Sequence, residues 1–344
     1  MMDKKAFMPT NLTERVLKTI RNYEMLKPGD MVLVAVSGGS DSIFLLQVLS
    51  HLKNKLKLKK LIVCNLDHGI RGKESSEDSL FVKRVVEDLR LEFIHKKIDL
   101  SKNRSRGLST EEVARLERYK FFNEAADRCK ANIVATGHTL DDQAETILMR
   151  IIKGTSLKGI IGISPVRGEK GIKIIRPLFE LEKREIEECL KGCGAAYRID
   201  STNAEPVYFR NVVRKDIIPF LEKYNPRLKR SLCSLAEHLR EDFEFIREAK
   251  CRVRGQGSGV RGSGIEIRLK DITIQPGALQ KEIIRDVLDK IGGEVKRLTF
   301  RHWKEMEQFI KHKRKGASLD LPGDIRVTRT ASSLVFHKRC NMLA

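Results

Sequence analysis

The chain has 344 residues, of which 41% are hydrophobic and 33% charged, and a formal net charge of +21. That length suits two domains, and that apolar content is enough for a buried core. No apolar run reaches membrane-spanning length and the first ten residues lack a signal-like apolar stretch, so the expectation is a cytoplasmic protein with no membrane partner.

Residues 201–344 carry +12 against +9 for the longer stretch 1–200, a balance that fits a polyanionic partner. Basic composition can also serve solubility alone. The seven cysteines are scattered and none forms C-x-x-C, which fits reduced, structural thiols rather than a metal site.

In chain order, Asn11–Leu26 carries Leu12, Val16, Ile20 and Tyr23 at helical spacing, and Pro28-Gly29-Asp30 turns into a β-branched run, Met31–Val36. That run reads as a buried parallel strand, and Phe44, Leu45, Val48, Leu49 and Leu52 then follow helical spacing. Between them lies Ser37-Gly38-Gly39-Ser40-Asp41-Ser42. Two glycines that can bend the backbone, three hydroxyls and a helix N-terminus together suit an anion, best the phosphates of a nucleotide. Asp41 beside a phosphate is repulsive unless a cation lies between, so it is read as a Mg²⁺ contact.

Further strands are expected at Leu61–Leu66, Phe93–Ile98, Ile133–Thr136 and Ile172–Ile175, alternating with helices near Ser76–Leu91, after Ser109, from Asp141 and from Glu182 to Cys193. Ser109-Thr-Glu-Glu112 reads as a capping box, with Val113, Leu116, Phe122 and Ala126 on the buried face of its helix. Ser101–Gly107 reads as a basic, mobile loop and Asn203–Arg210 as polar loop. Strand–helix alternation predicts an α/β fold with a doubly wound parallel sheet, whose ligand crevice lies at the strands' carboxyl ends.

Asn225-Pro226 starts a long amphipathic helix, Arg252–Gly264 reads as a flexible basic loop, and helices are expected at Gly277–Ile291 and Arg301–His312. Alternation around Pro322-Gly323 predicts a β-hairpin, with a further strand at Ala331–His337. The division expected is 1–224 and 225–344, the second domain mainly helical and ending in a small β-hairpin.

Several polar strings fall at the predicted crevice. Asp67 and His68 leave the second strand where they can meet a nucleotide or its metal, although an ordinary turn has the same composition. Arg115 and Arg118 share a helix face and can hold phosphate or carboxylate, or can pair with Glu111 and Glu117. Gly137-His138-Thr139-Leu140-Asp141-Asp142-Gln143-Ala144-Glu145 puts three carboxylates at a helix start. Helix capping explains them, but Asp142 and Glu145 on one face can also recognise an amine and take its proton. Asp200-Ser-Thr-Asn to Tyr208-Phe-Arg210-Asn211-x-x-Arg214 carries more polar detail than a connector needs.

The string S-G-G-x-D-S after an apolar strand resembles the PP-loop of the N-type ATP pyrophosphatases. Taken in order with D-H-G-I-R, A-R-L-E-R-Y, G-H-T-L-D-D-Q-A-E-T, Arg176-Pro-Leu, Y-F-R-N-x-x-R and Tyr224-Asn-Pro-Arg, it resembles the tRNA(Ile)-lysidine synthetase family. The likeness runs from residue 31 to about 227 and beyond that holds only in outline. It implies a PP-loop ATPase sheet at 1–224 and a tRNA-contacting domain at 225–344. It also implies a ligase: ATP adenylates the 2-position of the wobble cytidine in a CAU-anticodon isoleucine tRNA, releasing pyrophosphate. The ε-amine of free L-lysine then displaces AMP, giving lysidine and moving codon specificity from AUG to AUA.

Residues carried over are Ser37, Gly38, Gly39, Ser40, Asp41 and Ser42 for ATP, with Asp67 and His68 beside them, and Asp41 for Mg²⁺. Arg118, Asp142, Glu145 and Arg210 match active-site positions, His138 and Asp141 less closely. A homodimer is left open. Three rivals are a PP-loop tRNA thiolase, a catalytically silent RNA-binding protein and, less well matched, an amidotransferase-like synthetase. Against them stand the missing C-x-x-C, the five polar strings at one sheet edge and the missing glutaminase domain.

Overall fold

The β-branched run after Asp30 becomes β1 (Met31–Ala35), whose Val32, Leu33 and Val34 are fully buried. It is joined by β2 (Lys60–Asp67), β3 (Glu92–Lys97), β4 (Ile133–Ala135), β5 (Val166–Glu169) and β6 (Ile172–Ile175) in the order β3-β2-β1-β4-β6-β5. The pairings β3–β2, β2–β1, β1–β4 and β4–β6 are parallel, and β5 adds an antiparallel edge. Strand order reverses between β1 and β4, the switch point outside which such sheets bind ligands. Ser37 and Gly137 follow those two strands.

This is a computed structural model, and it describes residues 10–67, 69, 73–100, 110–169, 171–198, 209–254, 258–261, 264–293 and 297–339. The expected loop 101–107, the capping box at Ser109 and the segment 199–208 lie outside the described residues. Two units are present, Met1–Glu237 and His238–Ala344.

In the first unit, helices cover both faces of the sheet. On one face Val32, Val34, Ile133 and Ile175 pack against α1 (Thr10–Asn22), α2 (Ser40–Leu52), α3 (Lys73–Asp88) and the later helix Lys183–Gly192. On the other, Leu33, Ile62, Val134, Ile172 and Ile174 pack against Phe121, Phe122 and Ala125 of α4 (Thr110–Cys129). Each strand thus alternates between two apolar layers, which is why β1 reads as a continuous apolar run. On α4, Val113, Phe122 and Ala126 are buried as expected, but Leu116 is 58% exposed.

α5 (Leu140–Lys153), α6 (Leu157–Ile160) and α7 (Lys183–Gly192) follow. The described chain resumes as α8 (Phe209–Val212), a π-helical turn at Val213–Ile217 and α9 (Ile218–Glu222). Pro219 has no N–H to return to the preceding turn, and its ring crowds the carbonyl four residues back, which favours the wider π turn. Val213, Ile218 and Leu221 seat this segment on Leu148 of α5.

α10 (Leu228–Arg254) contains the unit boundary. The second unit adds β7 (Ser258–Arg261), β8 (Gly264–Arg268), α11 (Leu269–Thr273), α12 (Gly277–Lys290), α13 (Phe300–His312), β9 (Ser318–Leu321), β10 (Ile325–Arg329) and β11 (Ser333–Lys338). Its strands form one antiparallel sheet, β7-β8-β11-β10-β9, packed on Ile284, Val287, Leu288, Phe309 and Ile310. The expected hairpin is β9–β10. The sheet is larger than expected, because Ser258–Arg261 and Gly264 of the stretch read as a basic loop pair as β7–β8 and β8 pairs with β11, while Arg252–Arg254 of that stretch belong to α10.

Candidate active site

The turn from β1 to α2 is built by its own side chains. Gly38 has φ +98°, a conformation L side chains rarely adopt, and Gly39 is the helix N-cap. The Ser42 hydroxyl accepts from the Ser37 N–H at 3.2 Å and donates to Gly39 O at 3.0 Å. Ser42 is therefore engaged in holding the loop, with the exposed Ser37 hydroxyl 3.2 Å from its Oγ, while the buried Ser40 hydroxyl donates to Asp41 Oδ1 at 3.4 Å. Asp41 opens α2, and among the described residues no cation pairs with it within salt-bridge distance. Burial raises its carboxyl pKa to about 7, with Lys183 opposing and Asp142, Glu187 and Asp141 adding to the rise.

That environment tests the fit of a metal. Mg²⁺ is commonly held by one or two carboxylates together with phosphate oxygens. Asp41 offers one unpaired carboxylate beside an anion-binding turn, and the described residues contain no separate cluster of three metal-ligating side chains. Asp41 fits Mg²⁺ shared with phosphate.

The end of β4 lies directly against this loop. A Cβ on Gly137 would stand 3.1 Å from Asp41 C and 3.2 Å from both Asp41 O and Ser42 N, so any side chain there would have to push the two backbones apart. His138 follows, its Nδ1 3.0 Å from Thr136 Oγ1. The Thr136 hydroxyl also lies 3.4 Å from Ile175 O, so it ties the imidazole to the end of β6. Burial lowers the His138 pKa to about 4, against the pull of Asp142 and with Arg176, Arg118 and Arg210 adding to the fall.

Thr139 caps α5 in a capping box: Asp142 Oδ2 accepts from Thr139 N at 3.0 Å, while Thr139 Oγ1 accepts from Asp142 N. Asp141 accepts from the Lys183 N–H at 2.7 Å and pairs with Lys229 at 3.0 Å, tying α5 to α7 and α10.

Glu145 is buried and takes two guanidiniums. Arg210 Nε donates to Oε2 at 2.9 Å, while Arg214 Nε donates to Oε1 at 2.6 Å and its Nη2 to Oε2 at 3.0 Å. Asp142 Oδ1 stands 3.7 Å from an Nη2 of each arginine. Burial pushes the Asp142 pKa up, but His138, Arg210, the Thr139 N–H and Arg214 outweigh it and the net shift is downward. Arg214 likewise resists burial through Glu145, Asp142 and Asp41, and its pKa rises.

Arg118 projects from α4 with much of its surface exposed, yet enough protein surrounds its guanidinium for burial to lower its pKa, and Arg210 lowers it further. Its charge and that of Arg210 both act on His138.

The structure thus brings together the Ser37–Ser42 loop, Arg118, His138, Asp142, Glu145 and Arg210 at the switch-point edge. Asp67 is buried at the end of β2, where Oδ1 accepts from Gly69 N at 2.8 Å and Oδ2 lies 3.8 Å from Lys97. His68 lies outside the described residues. Sequence reasoning named Arg214 at the end of the Arg210-Asn211-x-x-Arg214 string but gave it no role, although its four-residue spacing from Arg210 was an available signal. It also passed over Asn65, which donates to Val36 O at 2.8 Å and meets His95 Nδ1 at 2.9 Å, fixing the β1–β2 edge.

A family model described as PP-loop domain matches residues 8–221. The tRNA(Ile)-lysidine synthase of Clostridioides difficile (strain 630) is 35% identical over 326 residues, covering 94% of this chain and 70% of that protein. That of Caldanaerobacter subterraneus subsp. tengcongensis is 35% identical over 337 residues, covering 97% and 71%. Among solved structures, the U34-tRNA thiolase NcsA from Methanococcus maripaludis superposes with a TM-score of 0.56 at 24% identity, covering 67% of this chain and 78% of that one. The last likeness is one of fold. A PP-loop match over more than half the chain and relatives of this identity and coverage have one conclusion: the chain belongs to the tRNA(Ile)-lysidine synthase family.

Proposed function

We propose that this enzyme ligates L-lysine to the 2-position of the wobble cytidine of a CAU-anticodon isoleucine tRNA, consuming ATP to AMP and pyrophosphate through an adenylated cytidine. The observation that carries the reading is the facing pair of features at one sheet edge. A phosphate-type loop ends in an unpaired carboxylate, and opposite it stands a cluster of two carboxylates and two guanidiniums.

In this reading the Ser37–Ser42 turn and the N-terminus of α2 hold the ATP phosphates. Asp41 holds Mg²⁺, which supplies charge neutralisation between carboxylate and phosphate. Arg118 and Arg210 face the charge that develops on the transferred phosphate and on departing AMP. His138, held neutral by burial, is a further polar group at the same edge.

The two carboxylates divide their work. Both Glu145 oxygens are filled by Arg210 and Arg214, so Glu145 sets the position of the arginines. Asp142 Oδ1 has only long contacts at 3.7 Å and keeps capacity for the incoming ε-ammonium. A free lysine amine with pKa about 10.4 is almost wholly protonated at neutral pH, so a carboxylate that orients it and shares its proton is needed before attack.

The thiolase alternative finds no support in the thiols. Burial pushes Cys64 up to about 12 and also raises Cys129, the opposite of a reactive thiolate. Residues 225–344 are assigned to tRNA contact, with exposed Lys311, Lys313, Arg314 and Lys315 as phosphate partners.

Incubation with ATP, Mg²⁺, labelled L-lysine and the isoleucine tRNA, followed by nucleoside analysis, tests the reading. Label in the wobble nucleoside is expected. A wobble cytidine left unmodified, or one that carries sulfur, contradicts it.

A further inference from the structure

A second concentration of positive charge lies at the end of β6, on the sheet face away from α2. Ile175 packs in the layer with α2, and Ile174 in the layer with Phe121 and Phe122 of α4. Strand alternation then turns Arg176 toward α4. Tyr119 of α4 meets it there. Arg115 lies with its guanidinium carbon 5.3 Å from the centre of the Tyr119 ring, and Arg167 of β5 at 5.7 Å. Arg150 stands nearby, donating to the Gly162 carbonyl at 3.0 Å.

Three properties separate this cluster from the arginines on Glu145. Among the described residues Arg115, Arg150 and Arg176 make no ion pair with a carboxylate. Arg176 is 3% exposed and donates to Ser164 O, yet its buried Nε has no hydrogen-bond partner. A buried donor left unsatisfied is costly, more so when charged, and in a native fold points to a missing acceptor. Burial lowers the Arg176 pKa to about 10; Tyr119 opposes, and the charges of Arg167 and Arg115 add to the fall. Like charges gathered at one point, with no carboxylate paired to Arg115 or Arg176 among the described residues, are relieved by an anion. Above the buried Arg176, Arg115 and Arg167 are exposed, so the cluster has a fixed floor and an open mouth.

We propose that Arg115, Arg167 and Arg176, gathered round Tyr119, form a second phosphate site, distinct from the Ser37–Ser42 loop, that takes a backbone phosphate of the RNA substrate beside the target base. The proposal rests on the function proposed above. Guanidinium forks match phosphate oxygens bidentately, and the unsatisfied Nε supplies a donor from below. An RNA phosphate is favoured over pyrophosphate because the exposed mouth at Arg115 and Arg167 suits a polymer.

The test uses full-length protein carrying Arg115→Gln with Arg167→Gln, both at exposed positions, with the buried Arg176 intact. Titration with the CAU isoleucine tRNA at several salt concentrations is expected to show affinity down about tenfold and a log–log salt slope shallower by about one to two. The KM for ATP and inhibition by inorganic pyrophosphate should stay as in wild type. Unchanged RNA affinity and slope, beside a wild type that forms lysidine, overturn the site. Weaker pyrophosphate inhibition with intact RNA binding also overturns it, assigning the cluster to the leaving group. A wild-type protein that neither binds nor modifies this tRNA overturns the functional reading, and the proposal with it.

Discussion

Arg214 reaches Glu145 with two nitrogens, Nε at 2.6 Å and Nη2 at 3.0 Å, from a π-helical turn that also lets Arg210 reach the same carboxylate. One buried carboxylate thus fixes two guanidiniums in the wall of the site. Glu145→Gln removes the charge that both arginines answer. Breaking a fully buried pair costs about 3–5 kcal/mol. Because Arg210 and Arg214 keep 38% and 31% of their side-chain surface exposed, a loss of about 2–3 kcal/mol is expected here. Denaturant unfolding measures it. Adenylation and lysine transfer should slow together, because the displaced arginines serve both.

Asp41 makes the free protein sensitive to pH. Its folded pKa of about 7 lies above the ordinary 3.8, so the folded state holds this proton more tightly than the unfolded chain. The stability this group contributes is complete below the ordinary value and is lost as pH rises through about 7. A cation at Asp41 competes with the same proton, so Mg²⁺ affinity for the free protein should rise as pH goes from 6 to 8. Asp41→Asn should remove that dependence and abolish adenylation while the fold persists. Isothermal titration with Mg²⁺ at three pH values checks it, and a flat wild-type profile speaks against Asp41 as the ligand.

Gly137→Ala tests the meeting of β4 with the phosphate loop. The added Cβ meets backbone atoms of Asp41 and Ser42, which cannot swing aside as a flexible side chain does. A stability loss of about 1–3 kcal/mol is expected from the overpacking. The KM for ATP should rise while tRNA affinity holds. Steady-state kinetics with ATP varied would show it.

What the sequence made legible was local. Strand, glycine turn and helix from Met31 to Leu52 carry their own periodicity, and the capping of α5 by Thr139 and Asp142 lies within four residues. The coupling of Glu145 to Arg210 and Arg214 spans 65 and 69 residues and depends on a π turn, which no spacing rule announces. Leu116 fits a buried helical stripe, yet faces outward because α4 presents Phe121, Phe122 and Ala125 to the sheet instead. β7 was hidden for another reason. Glycine-rich Arg252–Gly264 has no alternation of its own, and β7 takes its order from pairing with β8, itself held on β11.

The division of labour between Asp142 and Glu145 is the claim most open to a direct test. Asp142→Asn keeps shape and the hydrogen bond to Thr139 but removes the charge beside the arriving amine. Single-turnover reactions on one preparation, following pyrophosphate release and lysidine formation together, separate the steps. Pyrophosphate release near the wild-type rate, with lysidine slowed at least tenfold and a raised lysine KM, is the predicted result. Equal loss of both signals would contradict it, placing Asp142 with ATP or its metal rather than with lysine.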